Sequence, residues 1–220
     1  MPLTLYGHPF SSYTQKVLIA FYENDLRFTP RVIGSPEDPA AADEHRALWP
    51  LGRFPVLVDG DRTVVESSII IEHLHLRHPG PVRLLPDDPE AALEVRLMDR
   101  FFDNYVMTPM QAPVFEVLRT DGGRKEQALR ESAAALEAAY AWLEARLAGY
   151  EWATADGFSM ADCAAAPSLF YADWVHPIGE HFPTVRAYRA RLIARPSFAR
   201  AVEEARPYRS FFPLGAPDRD

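Results

Sequence analysis

The pattern of the chain changes kind part-way along, and that change limits the folds open to it. Up to Arg77, apolar runs of strand length alternate with single helix-length segments. After a stretch broken by Pro79, Gly80, Pro81, Pro86 and Pro89, the strand signatures stop, and Ala, Leu, Glu and Arg recur at helical spacing. A chain that switches period in this way does not form one uniform layer. It predicts an α/β domain over residues 1–78, a linker over 79–90, an all-helical domain over 91–206 and a tail over 207–220. The 220 residues, 48% of them hydrophobic, suffice for two modest cores.

Within the first domain, Leu3–Tyr6 reads as a buried strand. Residues Thr14–Asn24 read as a helix, with Val17, Leu18, Phe21 and Tyr22 on one face, and Phe28–Ile33 as a second strand completing a βαβ unit. A short helix is expected between Ser35 and Trp49. Asp59-Gly60-Asp61 between two apolar runs in Pro55–Glu66 predicts a hairpin, and Ser67–Arg77 a helix. The order is β-α-β-α-β-β-α. In the second domain the helices are expected at Leu93–Leu118, Lys125–Leu147, Met160–His176, Thr184–Ala194 and Ser197–Ala205. Pro109 and Pro113 should kink or break the first of them near Met107–Pro113.

Composition excludes several functions. A net charge of −8 argues against nucleic-acid and anionic-membrane partners. No apolar run approaches the roughly 20 residues that span a bilayer, and no secretory signal is visible, so the expected location is cytoplasmic. The single cysteine, Cys163, fits a reducing compartment and reads as a buried small hydrophobe mid-helix. His73, His75 and His78 invite a metal reading. At 100° per residue, however, they fall at about 0°, 200° and 140° around a helix, so no metal is expected there. Nucleotide-binding and α/β-hydrolase motifs are missing.

What remains is the pair of serines in LTLYGHPFSSYTQKV, Leu3–Val17. Ser12-Tyr13-Thr14-Gln15 has the form of a capping box, with Ser12 as N-cap and Gln15 reaching back. Ser11 then stands before the cap, its hydroxyl beside the free N–H groups of the helix start, a place that suits an anion. If the anion is a thiolate, lowering its pKa from about 8.5 to about 7 requires about 2 kcal/mol. A hydroxyl bonded to a charged acceptor supplies about 1.5–3 kcal/mol and the helix terminus about 0.3–1. Together the two suffice, with serine acting as donor rather than nucleophile.

Tyr6–Glu23, Leu48–Leu57 (LWPLGRFPVL), Val64–Leu74 (VVESSIIIEHL) and Phe158–Ala166 (FSMADCAAA), in this order and spacing, resemble the cytosolic glutathione transferase family, its serine-type members in particular. The resemblance implies a thioredoxin-like first domain and a helical second one, a homodimer, and glutathione as co-substrate without a metal. It places thiolate stabilisation on Ser11, with Ser12 as the second candidate, and gives Tyr13 the position where some relatives carry cysteine. It implies a cis-proline at Pro55, with Phe54 meeting the cysteinyl part of glutathione, Arg53 its glycyl carboxylate, and Glu66 and Ser67 its γ-glutamyl end. Trp49 departs from the asparagine common in the family. Ser159 and Asp162 are expected to cap a helix, with Phe158 stapled near Cys163.

The electrophile pocket is expected from Phe10, Tyr105, Thr108, Phe115 and Trp174, with the tail aromatics Phe211 and Phe212. Asp99 or Asp103 would reach a neighbouring subunit's ligand. The expected reaction is attack of the glutathione thiolate on a small hydrophobic electrophile. A glutathione-dependent isomerase, dehalogenase or peroxidase, and a non-catalytic binding module, are the rivals.

Overall fold

The computed structural model describes residues 2–119, 123–155 and 157–220. The chain enters through β1 (Leu3–Gly7), α1 (Ser12–Glu23) and β2 (Phe28–Val32), and β2 lies parallel to β1 with Leu3 opposite Phe28. After α2 (Ala41–Leu48), strands β3 (Val56–Asp59) and β4 (Arg62–Val65) form the expected hairpin, followed by α3 (Ser67–Arg77). Asp59 pairs with Arg62, so the turn has two residues, and Gly60 supplies its positive φ of 63°. β3 runs antiparallel to β1, giving a mixed sheet in the order β2-β1-β3-β4. With neighbours on both sides, β1 buries Leu3, Leu5 and Tyr6.

Helix α1 starts two residues earlier than expected and is buried nearly all round, Val17, Ile19, Ala20 and Phe21 completely. A one-sided apolar stripe would suit a helix lying on a sheet. Here α1 is wedged between α3 on its own domain and α7 (Met160–Val175) and α9 (Pro196–Ala205) of the helical domain. Its polar residues Gln15 and Lys16 are therefore buried too and must be satisfied across the domain boundary.

Helix α4 (Pro89–Phe101) begins within the expected linker, with Pro89 in its first turn and Asp88 capping Ala91 N–H at 2.9 Å. The break assigned to the prolines also falls earlier. Phe102–Met107 forms a widened π turn, and α5 (Thr108–Arg119) then carries Pro109 in its first turn and Pro113 inside it. Thr108 N–H bonds Asp103 O, five residues back, just before Pro109, which has no N–H for the ordinary i−4 partner. The remaining helices are α6 (Lys125–Arg146), the central α7, α8 (Pro183–Ala194) and α9, followed by a short 3₁₀ turn over Arg206–Phe211. Cys163 sits fully buried in α7. Among the described residues no helix is long and apolar enough to cross a membrane.

Candidate active site

A cleft of about 800 Å³ opens between the domains at the N-terminus of α1. His8 O accepts Ser11 N–H at 2.9 Å, closing the turn over Pro9 and Phe10 and leaving Ser11 extended (φ −83°, ψ 124°). Ser11, not Ser12, is therefore the N-cap, its Oγ accepting Thr14 N–H at 3.3 Å. The Ser12–Gln15 capping box does not form. Ser12 is the first helical residue, 6% exposed, and Gln15 Nε2 donates instead to Pro9 O and Tyr171 Oη, both at 3.0 Å. The reason is tertiary: Tyr171 of α7 sits against the turn, its hydroxyl donating to Phe10 O at 3.2 Å and its ring packed edge-on against Phe10. The cap occupies a lone pair of Ser11 and leaves its O–H proton available. Structural and chemical roles thus coexist in one residue, and Ser11 and Ser12 both line the cleft.

Arg53, Phe54, Pro55, Glu66 and Ser67 line the same cleft. The Phe54–Pro55 peptide bond is cis, and His45 Nε2 lies 2.9 Å from Arg53 O, fixing the approach to it. Among the described residues the Arg53 guanidinium has no ion-pair partner. Glu66 holds a left-handed φ of 68°, costly for a side chain of this kind by about 1–3 kcal/mol. It stands as N-cap of α3 without a side-chain capping bond, which makes Ser67 the first helical residue and leaves the leading amides of α3 open to an anion.

Phe10, Thr108 and Phe115 line the other wall of the cleft, and two of the expected residues, Tyr105 and Trp174, do not. The cleft-facing positions Asn104, Thr108, Gln111, Phe115 and Leu118 follow helical spacing, which puts Tyr105 on the adjacent face, 61% exposed and against Phe101 at 5.3 Å. Trp174 lies behind the wall, its ring 5.3 Å from Phe212 and 6.4 Å from Phe10, so it supports lining residues without lining the cleft itself. Phe211, Phe212 and Pro213 bring the tail over the opening. Tyr13 is a third hydroxyl at the site, and burial, then the nearby Asp103 carboxylate, pushes its phenol well up, so it stays protonated.

The buried charges were not readable as a group from the sequence. Lys16 Nζ lies 2.6 Å from Asp99, 2.8 Å from Asp103 and 2.9 Å from Ser68 Oγ, while Arg100 binds both carboxylates at 2.6 Å. This cluster ties α1 to α3, α4 and the π turn. Burial raises the Asp99 carboxyl, but the Lys16 charge and hydrogen bond outweigh it and hold it below the usual range. For Asp103, burial wins over Lys16 and the shift is upward. Asp99 is 1% exposed and engaged by Ser68, Lys16 and Arg100 of its own chain, and Asp103, 5% exposed and held by Lys16 and Arg100, lines the cleft. The only sequence signal was the i, i+4 spacing of the two aspartates.

The Ser159–Asp162 capping box forms as expected, Asp162 accepting Ser159 N–H at 2.9 Å, while Phe158, expected near Cys163, has its ring edge-on to Trp152 at 5.2 Å. The histidines depart from expectation. His73 and His78, which ideal helical geometry separates, both reach Asp59 Oδ2, at 2.9 and 2.7 Å, because His78 caps α3 outside its helical rotation.

Residues 5–82 match the family model for the glutathione S-transferase N-terminal domain and residues 104–196 that for its C-terminal domain. Over 91% of its length the chain is 31% identical to glutathione S-transferase 3 of Zea mays, covering 93% of that protein. It is 27% identical to a probable maleylacetoacetate isomerase of Vibrio cholerae, over 94% of this chain and 98% of that one. The crystal structure of a glutathione S-transferase from Methylobacterium radiotolerans in complex with glutathione sulfonate is 31% identical. It superposes with a TM-score of 0.74 over 92% of this chain and 95% of its own. With both domain models matched and the open helix start at Ser11 facing the cleft, the chain belongs to the glutathione S-transferase family.

Proposed function

We propose that this protein binds glutathione along Arg53, Phe54, Glu66 and Ser67 and uses Ser11 to keep its sulfur ionised for attack on a neutral, apolar electrophile. The observation that carries this reading is the open cap: Ser11 Oγ accepts Thr14 N–H and retains its proton as a donor beside the first amides of α1. Glu66, forced into the cleft by its positive φ, pairs with the ligand ammonium, and Arg53 with a carboxylate. Ser12, more deeply buried, supports the helix start.

The electrophile half is apolar, with Phe10, Met110, Val114, Phe115 and Phe212 and the polar Thr108 and Gln111. The cations of the cleft are Arg53 and Arg100, and Arg100 is bound to Asp99 and Asp103. A neutral substrate therefore suits the pocket better than a dicarboxylate. An isomerase of maleyl-type substrates is the second reading, supported by the Vibrio cholerae relative.

The expected result is conjugation of a neutral aryl halide with glutathione, cut at least about tenfold in kcat by Ser11→Ala with KM for glutathione little changed, in line with loss of one charge-assisted bond. Retention on a glutathione column without turnover of aryl halides, epoxides, peroxides or maleyl substrates would leave a binding module instead. Equal turnover by wild type, Ser11→Ala and Ser12→Ala would remove the serine mechanism.

Pairing with a second copy is supported by Ile69 and Leu76 on α3 and Leu93 and Leu97 on α4. All four are at least half exposed, and the Glu72–Arg96 ion pair links the two helices that carry them. Sedimentation should give a dimer for wild type and a monomer for Leu93→Glu combined with Leu97→Glu; a wild-type monomer refutes the pairing.

A further inference from the structure

On the hairpin side of the first domain, three side chains from two elements converge on one point. Asp59 ends β3, His73 lies in α3, and His78 caps its C-terminus. Both imidazole Nε2 atoms address the same carboxylate oxygen, at 2.9 and 2.7 Å, and the three ligand atoms lie within 4.8 Å of one another. The side chains are 15%, 9% and 24% exposed, so the point is enclosed on most sides and reached past His78. None of the three lines the cleft between the domains.

We propose that Asp59, His73 and His78 form a binding site for a divalent first-row transition ion of the zinc class, separate from the glutathione site. Two imidazoles and a carboxylate are a donor set such ions accept, whereas magnesium and calcium prefer oxygen alone. Tetrahedral zinc, with bonds of about 2.0–2.1 Å, places ligand atoms about 3.4 Å apart. The two imidazole–carboxylate spacings need to open by about 0.5 and 0.7 Å, and the two imidazole nitrogens, within 4.8 Å of each other, to settle at the same separation, as the ion takes the place of the shared hydrogen bonds. Each imidazole then carries its proton on Nδ1, leaving Nε2 for the metal. Three protein ligands leave the outer position to water. The elements joined are the β3–β4 hairpin and the end of α3, so the bound ion clips the hairpin to the helix. His75, two residues beyond His73, is outside the group, and it serves as the internal control.

The test is titration of the tag-free, chelator-treated full chain with zinc chloride in glutathione-free buffer, followed by calorimetry. One equivalent is expected per chain at micromolar affinity or better. Asp59→Asn and His78→Ala should each weaken it at least about tenfold, and His75→Ala should leave it unchanged. Because His73 and Asp59 are largely enclosed, a measurement needing no variant runs alongside: cobalt added to the wild-type chain should give the intense visible band of a four- or five-coordinate ion. Melting temperature should rise with zinc in wild type and not in His78→Ala. Binding only in the millimolar range, a weak octahedral cobalt spectrum, or the same stoichiometry and affinity in Asp59→Asn would each overturn the site.

Discussion

Two serines cap two helices in this protein, and they do opposite things. Ser159, at the start of α7, is 3% exposed and closed by Asp162, which accepts Ser159 N–H, Ala153 N–H at 2.8 Å and the Tyr188 hydroxyl at 2.7 Å. Ser11, at the start of α1, caps Thr14 and no side chain closes back on it: its own N–H goes to His8 O, and Thr14, three residues on, accepts His8 N–H instead. Written as sequence, Ser-Tyr-Thr-Gln and Ser-Met-Ala-Asp are equally good capping boxes. The first is opened by a neighbouring helix, and the second is sealed in the core. A sealed helix start contributes stability and has nothing left to offer a ligand. An open one gives up part of that stability and keeps donors for an anion.

The comparison can be broken most forcefully at Asp162. Its removal in Asp162→Ala leaves two buried amides and a tyrosine hydroxyl without their acceptor, and unfolding by denaturant should show a loss of about 3–5 kcal/mol, or a chain that does not fold. A loss near that of a surface site would mean that the sealed cap is not a stabilising element.

A gentler probe is pH. Burial, opposed by the bonds from Tyr188, Ala153 and Ser159, pushes the Asp162 carboxyl up from 3.8 to about 6. A raised folded-state value means the folded chain holds the proton over a range where the unfolded chain has lost it. The associated stability is complete below about 4 and is lost as pH rises through about 6, a change of about 3 kcal/mol at most. Relative to Asp162→Asn, which does not titrate, wild type should lose ground across that window and stay level above it. An unchanged difference between pH 4 and pH 7 would show that the buried carboxyl does not titrate there.

The smallest effect is expected at Ser11. Ser11→Ala removes a single partly exposed cap, so stability should fall by about 1 kcal/mol while turnover falls much further. A loss of stability matching that at Asp162, with turnover unaffected, would reverse the roles assigned to the two serines.

Much of the architecture was legible because it rests on local physics. The two-residue Asp59–Arg62 hairpin, the span of α3 and the helices from α6 onward follow from turn residues and apolar spacing. The boundary at Pro89 shifted because proline is as good at starting a helix as at separating domains. The cleft residues Ser11, Phe54, Glu66 and Ser67 were readable because the motifs that carry them are contiguous. Tyr105 falls off the cleft because a few residues of helical phase, set in the π turn at Phe102–Met107, decide which face meets it, and Trp174 on α7 because Phe10 and Phe212 stand beside it on the lining.

By itself the sequence determined the two-domain division, the helix that begins at the serine pair and the candidates for holding glutathione, since each depends on residues near one another in the chain. Tertiary structure alone decided which serine caps, that Lys16 lies between Asp99 and Asp103, and that His73 and His78 share Asp59. Those outcomes depend on groups many residues apart whose hydrogen-bonding capacity has several possible partners. Only packing, by burying some of these groups and excluding water from them, selects among the partners.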